Sequence, residues 1–139
     1  MYDPMMTAPM REELTRIGVT SLESADAVDT ALGQADKTAL VVVNSVCGCA
    51  AANARPGVAL AIKHSTTPDQ ILTVFAGVDR EAADRARSYF KGFMPSSPSI
   101  AVMKEGKVAF MLQRHEIEGR SPQEIAQRLT SAFDEHCAS

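Results

Sequence analysis

Val41-Val42-Val43-Asn44-Ser45-Val46-Cys47-Gly48-Cys49-Ala50-Ala51-Ala52 decides the reading of this chain. A β-branched apolar run ends in two thiols one residue apart, and an alanine-rich, helix-favouring segment follows at once. A thiol at the start of a helix faces the unpaired N–H groups of the first turn and the positive end of the dipole. Both stabilise thiolate over thiol, which is how a cysteine becomes a nucleophile. A disulfide across a single residue closes a tight ring, so Gly48 is expected to supply an unusual backbone conformation. Such a bridge is expected to be strained and readily reduced.

Working outward, residues 39–43 are too uniformly apolar for a half-exposed strand and predict a central strand buried on both faces, with Cys47 at its carboxyl end. Beyond Cys49, Pro56 and Gly57 interrupt a helical pattern that resumes at Val58, which predicts a kink. Residues 71–76 read as a strand, and Asp79 caps a charged helix running to about Phe90. Met94-Pro95-Ser96-Ser97-Pro98 is a loop. Residues 99–103 and 108–113, around Glu105-Gly106, make a hairpin. Ser121-Pro122-Gln123-Glu124 is a capping box that opens a last helix with Ile125, Leu129 and Phe133 on one face.

Upstream of the motif, residues 1–8 read as a loose, flexible arm leading into a helix capped by Thr7, opened by Pro9 and ended by Gly18. A short extended segment at 19–22 follows, and Ser24 caps a helix over 25–34 with Val28 and Leu32 on one face. Strands alternating with helices and then a hairpin describe an α/β protein, a mixed sheet with helices on both faces. Right-handed crossovers put the Cys-Gly-Cys turn at the carboxyl edge of a central strand, where open α/β sheets carry their chemistry.

Composition narrows the classes of function. With 139 residues the chain has the size of one domain, and 45% apolar and 22% charged residues are globular proportions. A formal charge of −3 excludes a general basic footprint for nucleic acid. There is no apolar run of bilayer length, and residues 1–10 contain no lysine or arginine, so the expected location is the cytoplasm rather than a membrane or a secretory route. Of the three cysteines, two are too close to staple a loop, which points to redox or metal chemistry instead of a structural disulfide framework.

With a strand, Cys-x-Cys at a helix start, a kinked helix, and Ser97-Pro98 leading into a hairpin, the chain resembles the thioredoxin fold. More closely, Val41 to Ala50, Thr73-Val74-Phe75-Ala76-Gly77, Pro95-Ser96-Ser97-Pro98-Ser99 and Arg114-His115-Glu116-Ile117-Glu118-Gly119 are similar to the bacilliredoxin family, over nearly the whole chain from about Leu14 to Cys137. The resemblance implies one thioredoxin-like domain over 9–139, with an N-terminal helical extension. It implies a cis bond at Ser97-Pro98, beside the thiols, where substrate binds. It further implies a cytoplasmic thiol–disulfide oxidoreductase that removes bacillithiol, or a similar low-molecular-weight thiol, from mixed disulfides on client proteins. Cys47 would attack and Cys49 resolve, with no bound cofactor and with a recycling reductase as partner; disulfide isomerase activity is also associated with the family. The chain departs from general thioredoxins in its shortened motif, in lacking a tryptophan before Cys47, and in placing Val41 or its neighbours where thioredoxins bury a carboxylate. These departures favour exchange on activated mixed disulfides over general dithiol reduction.

Other readings stand beside these. The thiol pair reads as two small buried hydrophobes if packing alone is considered, and as a soft-metal or iron–sulfur site if the thiolates are ligands. Iron–sulfur carriers with Cys-Gly-Cys need a third cysteine well upstream, whereas here Cys137 lies downstream. Cys137 continues the apolar stripe of the last helix, or acts as a resolving or regulatory thiol. His64 and His115 are candidate proton carriers, although a solvated histidine suits both positions better. Arg55, Lys63 and Arg114 are candidate cations for an anionic small thiol.

Overall fold

A computed structural model describes residues 2–138. In chain order the elements are α1 (Pro4–Thr15), β1 (Thr20–Ser21), α2 (Ala25–Leu32), β2 (Ala39–Asn44), a π-helical turn (Ala50–Ala54) running into α3 (Arg55–Ala61), β3 (Gln70–Phe75), α4 (Arg80–Ser88), β4 (Ser99–Lys104), β5 (Lys107–Leu112), α5 (Arg114–Ile117) and α6 (Pro122–His136). The sheet order is β1-β3-β2-β4-β5; β2 and β3 are parallel, as are β1 and β3, while β4 and β5 run antiparallel to their neighbours.

Strand β2 lies at the centre and every residue in it is buried, as its uniform apolarity predicts. Side chains alternate across a strand, so Val41 and Val43 join one core with Val28, Leu72, Val74 and Phe90, under α2 and α4. Leu40 and Val42 join the other with Val58, Ile125, Leu129 and Phe133, under α3 and α6. Gly57 is required where these two helices meet: a Cβ there would stand 2.6 Å from Ile125 Cγ2.

Three local expectations change. The first helix begins at Pro4 rather than Pro9, so residues 4–8 are helical and the expected arm over 1–8 is corrected to a helix from Pro4 onward. Asp3 is the cap, accepting from the Met5 N–H at 2.8 Å, and Pro4 occupies a first-turn position where a missing N–H costs nothing. Thr7 is instead buried inside the helix. The irregularity after Cys49 falls before Pro56, in a wide turn where the Arg55 N–H reaches the Ala50 carbonyl, and Pro56 then sits in the first turn of α3. Asp79 precedes α4, but its carboxylate turns away from the helix to Arg11 at 2.6 Å.

Candidate functional site

The site lies where β2 ends. Asn44 is the last strand residue, and Cys47 stands between the strand and a helix that starts at Gly48. The Cys47 carbonyl accepts from the N–H groups of Ala50 at 3.0 Å and Ala51 at 3.3 Å. Its sulfur accepts from the Cys49 N–H at 3.2 Å, and its own N–H donates to Ser45 Oγ at 3.3 Å. Cys47 therefore occupies a capping position, with sulfur replacing the oxygen that serine or aspartate would offer. The pair is joined as a disulfide with its Cα atoms 5.4 Å apart, and both residues are half-buried. Gly48 is corrected against expectation: its φ is not positive, and a Cβ added there meets nothing within 4 Å.

Strand pairing brings the second segment alongside. Val43 pairs with Ser99 at the end of the antiparallel β2–β4 ladder, so the segment leaving β2 and the segment entering β4 lie side by side, and Ser45 and Ser97 line the same cleft. The Ser97-Pro98 bond is cis. Cys47 and Ser97 line one shallow cleft of about 310 Å³ with Tyr2, Ala76, Arg87 and Arg114. Tyr2 comes from the chain ahead of α1 and lies near Gly77, whose φ of +81° strains any side chain and where an added Cβ would stand 3.1 Å from the Tyr2 ring.

Of the three candidate cations, only Arg114 reaches this cleft. Lys63 is exposed past the far end of α3, roughly 20 Å along the helical segment that begins beside Cys47. Arg55 is a core residue, 3% exposed. Its guanidinium donates to Asn44 Oδ1 at 2.9 Å and the Ser45 carbonyl at 3.0 Å, and pairs with Glu13 at 3.2 Å. Asn44 in turn donates to the Met10 carbonyl at 3.3 Å, so α1 is pinned behind the thiol pair. Among the described residues, the buried polar side chains include this one cation and no carboxylate. His64 bonds Asp134 at 2.9 Å on the outside of α3 and α6, and the His115 side chain is 81% exposed; neither lines the cleft.

Cys137 caps the carboxyl end of α6. Its surroundings include Thr38, Asp69 and Lys104, which lie at the amino end of β2, opposite to Cys47. Burial pushes its thiol pKa up, and the Asp69 charge adds to this against the Thr38 hydrogen bond and Lys104. Among the described residues no three His, Cys, Asp or Glu side chains come together as a metal-ligand set.

Arg87 was not singled out by the sequence. It lies in a charged helix with Arg80 and Arg85, and which of these turns to the thiols depends on how α4 packs across β3, which periodicity alone does not show.

Solved structures share this architecture. One thioredoxin-fold chain superimposes with a TM-score of 0.60 at 16% identity, over 78% of this chain and 91% of its own. The thioredoxin of Malassezia sympodialis gives 0.55 at 14%, over 87% and 92%. The fold is thus the thioredoxin fold, and the class it defines with its thiol pair is that of the thiol–disulfide oxidoreductases. Among curated proteins, a bacilliredoxin of Koribacter versatilis is 53% identical over 100% of this chain and 96% of its own. Bacilliredoxins of Salinibacter ruber, 50% identical over 98% and 81%, and of Bacillus cereus, 49% identical over 91% and 88%, are also similar. Residues 2–137 match the family described as disulphide isomerase, and the chain belongs to it.

Proposed function

We propose that the protein removes bacillithiol, or a similar low-molecular-weight thiol, from mixed disulfides on client proteins in the cytoplasm. Supporting this are the name its relatives carry, bacilliredoxin, and the placement of Cys47 in an open cleft with its sulfur on a helix N–H. That hydrogen bond carries the reading. In the disulfide this N–H meets a neutral sulfur; in the reduced protein the same N–H, at the start of a helix, favours the Cys47 thiolate that exchange requires.

In the reduced protein the Cys47 thiolate attacks the small thiol's sulfur in the mixed disulfide. A bond forms between Cys47 and that sulfur, and the client leaves as a thiolate that takes a proton from water. Cys49, deprotonated, then attacks Cys47 Sγ and expels the small thiol. The client disulfide has gained two electrons, and the protein has lost two in forming the Cys47–Cys49 bond. A dithiol reductase returns them. Ser97 contributes to the substrate surface with the cis Pro98 buried behind it rather than lining the cleft, and the same pair of thiols supports isomerisation of client disulfides.

The test is release of the small thiol. Reduced protein incubated with a bacillithiolated client should yield the unmodified client and an oxidised protein lighter by two hydrogens on intact-mass analysis. Persistence of the adduct overturns the reading, and stoichiometric metal after reducing purification favours a soft-metal or iron–sulfur module.

A further inference from the structure

Arg87 and Arg114 bracket the segment before the cis proline, and no carboxylate lines the cleft they share with Cys47. Arg87 Nη2 donates to the Ser96 carbonyl at 3.3 Å, and Arg114 Nη1 to the Ser97 carbonyl at 3.4 Å. The Arg114 N–H also reaches Ser96 Oγ at 3.3 Å. The two cations thus approach the same short backbone from separate elements, one from α4 and the other from the start of α5.

Arginines with a structural role in this protein are paired with acids: Arg11 with Asp79 and Glu23, Arg55 with Glu13, Arg85 with Asp29. Arg87 has no such pair among the described residues; its Nε, like that of Arg55, is buried with no hydrogen-bond partner, so what sets Arg87 apart is the missing acid. A buried donor left unmet costs about 1–3 kcal/mol. Arg114 does have Glu118, which its Nε meets at 3.2 Å, but this pair is exposed and Arg114 still lines the cleft. In a chain of net charge −3, the cleft beside the thiol is lined by two cations, one of them partnered by Glu118 from outside it, and by no carboxylate. Arginine binds carboxylate in a two-pronged geometry, and such a site beside a reactive sulfur selects the tail of the molecule that carries the other sulfur.

We propose that Arg87 and Arg114 form an anion subsite that holds a carboxylate-bearing tail of the small thiol while its sulfur is exchanged at Cys47. This rests on the exchange reading above, and adds to it the chemical class of the thiol. The bonds made and broken are those already described; the subsite forms none, and it raises the rate by holding the tail in place.

One client protein carrying 3-mercaptopropionate, glutathione, 2-mercaptoethanol or cysteamine as its mixed disulfide separates the possibilities. The wild-type protein should open the two carboxylate-bearing disulfides faster, by kcat/KM, than the neutral and cationic ones. Arg87→Gln and Arg114→Gln should each lower the ratio of anionic to neutral rates about tenfold, the loss of one charge-assisted bond, with partial recovery in Arg87→Lys. Comparing ratios between variants cancels the intrinsic reactivity of each thiol, and a variant that merely folds poorly leaves the ratio unchanged. An unchanged ratio, or no preference in the wild type, overturns the subsite while leaving exchange intact. Failure to open any of the four disulfides overturns the exchange reading itself.

Discussion

Arg55 Nη1 donates to Asn44 Oδ1 at 2.9 Å, a bond between two side chains almost sealed from solvent, three residues from Cys47. The same guanidinium takes the Ser45 carbonyl and Glu13, so one buried cation joins the end of β2, the start of α3 and the N-terminal helix. Arg55→Met should therefore cost about 2–4 kcal/mol in urea unfolding, because it strands a carbonyl and a carboxylate together. The loss stays below that of a fully buried pair since the Glu13 side chain is 38% exposed. Arg55→Lys should recover little, as one ammonium cannot span the three acceptors. A loss under about 1 kcal/mol for Arg55→Met would show that α1 is held by other means.

Gly57 and Gly48 should respond oppositely to alanine. At Gly57 the new methyl meets Ile125 Cγ2 at 2.6 Å and Cβ at 2.9 Å, both on a fully buried side chain, and overpacking of this kind costs about 1–3 kcal/mol. At Gly48 the methyl has open space and an ordinary backbone, so the change stays within about 1 kcal/mol. Urea midpoints of the two variants decide this. Equal losses would mean that the motif glycine is needed for the backbone of the ring.

The second of these outcomes bears on what could be read from the chain. β2 was legible because Leu40, Val41, Val42 and Val43 serve two cores, and only a strand covered on both sides is apolar at every position. The last helix was equally plain from Ser121 and Glu124, whose reciprocal hydrogen bonds are local. Pro9 sets the expected start of the N-terminal helix too late, although Asp3-Pro4 carries the same cap-and-proline signature. The buried role of Arg55, which the sequence offers only as a candidate cation for a small thiol, and the place of Arg87 beside the thiols are beyond reach for a different reason. Both are defined by residues far away in sequence, Glu13 for the first and Ser96 for the second, and no spacing along the chain encodes such a meeting. The short α5, capped reciprocally by Gln113 and Glu116, was overlooked because a four-residue helix has no periodicity to find.

Cys137 should be dispensable for exchange. It lies near Thr38, at the amino end of a strand whose carboxyl end leads to Cys47, and the six rises from Thr38 to Asn44 alone span roughly 20 Å. Cys137→Ser should open a mixed disulfide in single turnover at the wild-type rate. Because burial raises its pKa, Cys137 should also alkylate more slowly than reduced Cys47 with iodoacetamide at neutral pH. Loss of activity comparable to that of Cys47→Ser would make it a participant.

The two motif thiols should have unequal roles. Cys47 lines the cleft and precedes the helix, while Cys49 lies within the first helical turn and gives its own N–H to the Cys47 sulfur. The donor and the access both belong to Cys47, so attack should begin there. With Cys49→Ser the first step remains and the second is lost: the small thiol should accumulate on Cys47, in stoichiometric amount, with release of the client. With Cys47→Ser neither step proceeds, because the remaining thiol neither lines the cleft nor receives that N–H. Intact-mass analysis of each variant mixed with a bacillithiolated client reads both outcomes at once. An adduct that forms on Cys49 in Cys47→Ser as fast as on Cys47 in the other variant would reverse the assignment, and would move the anion subsite's partner sulfur to the second thiol.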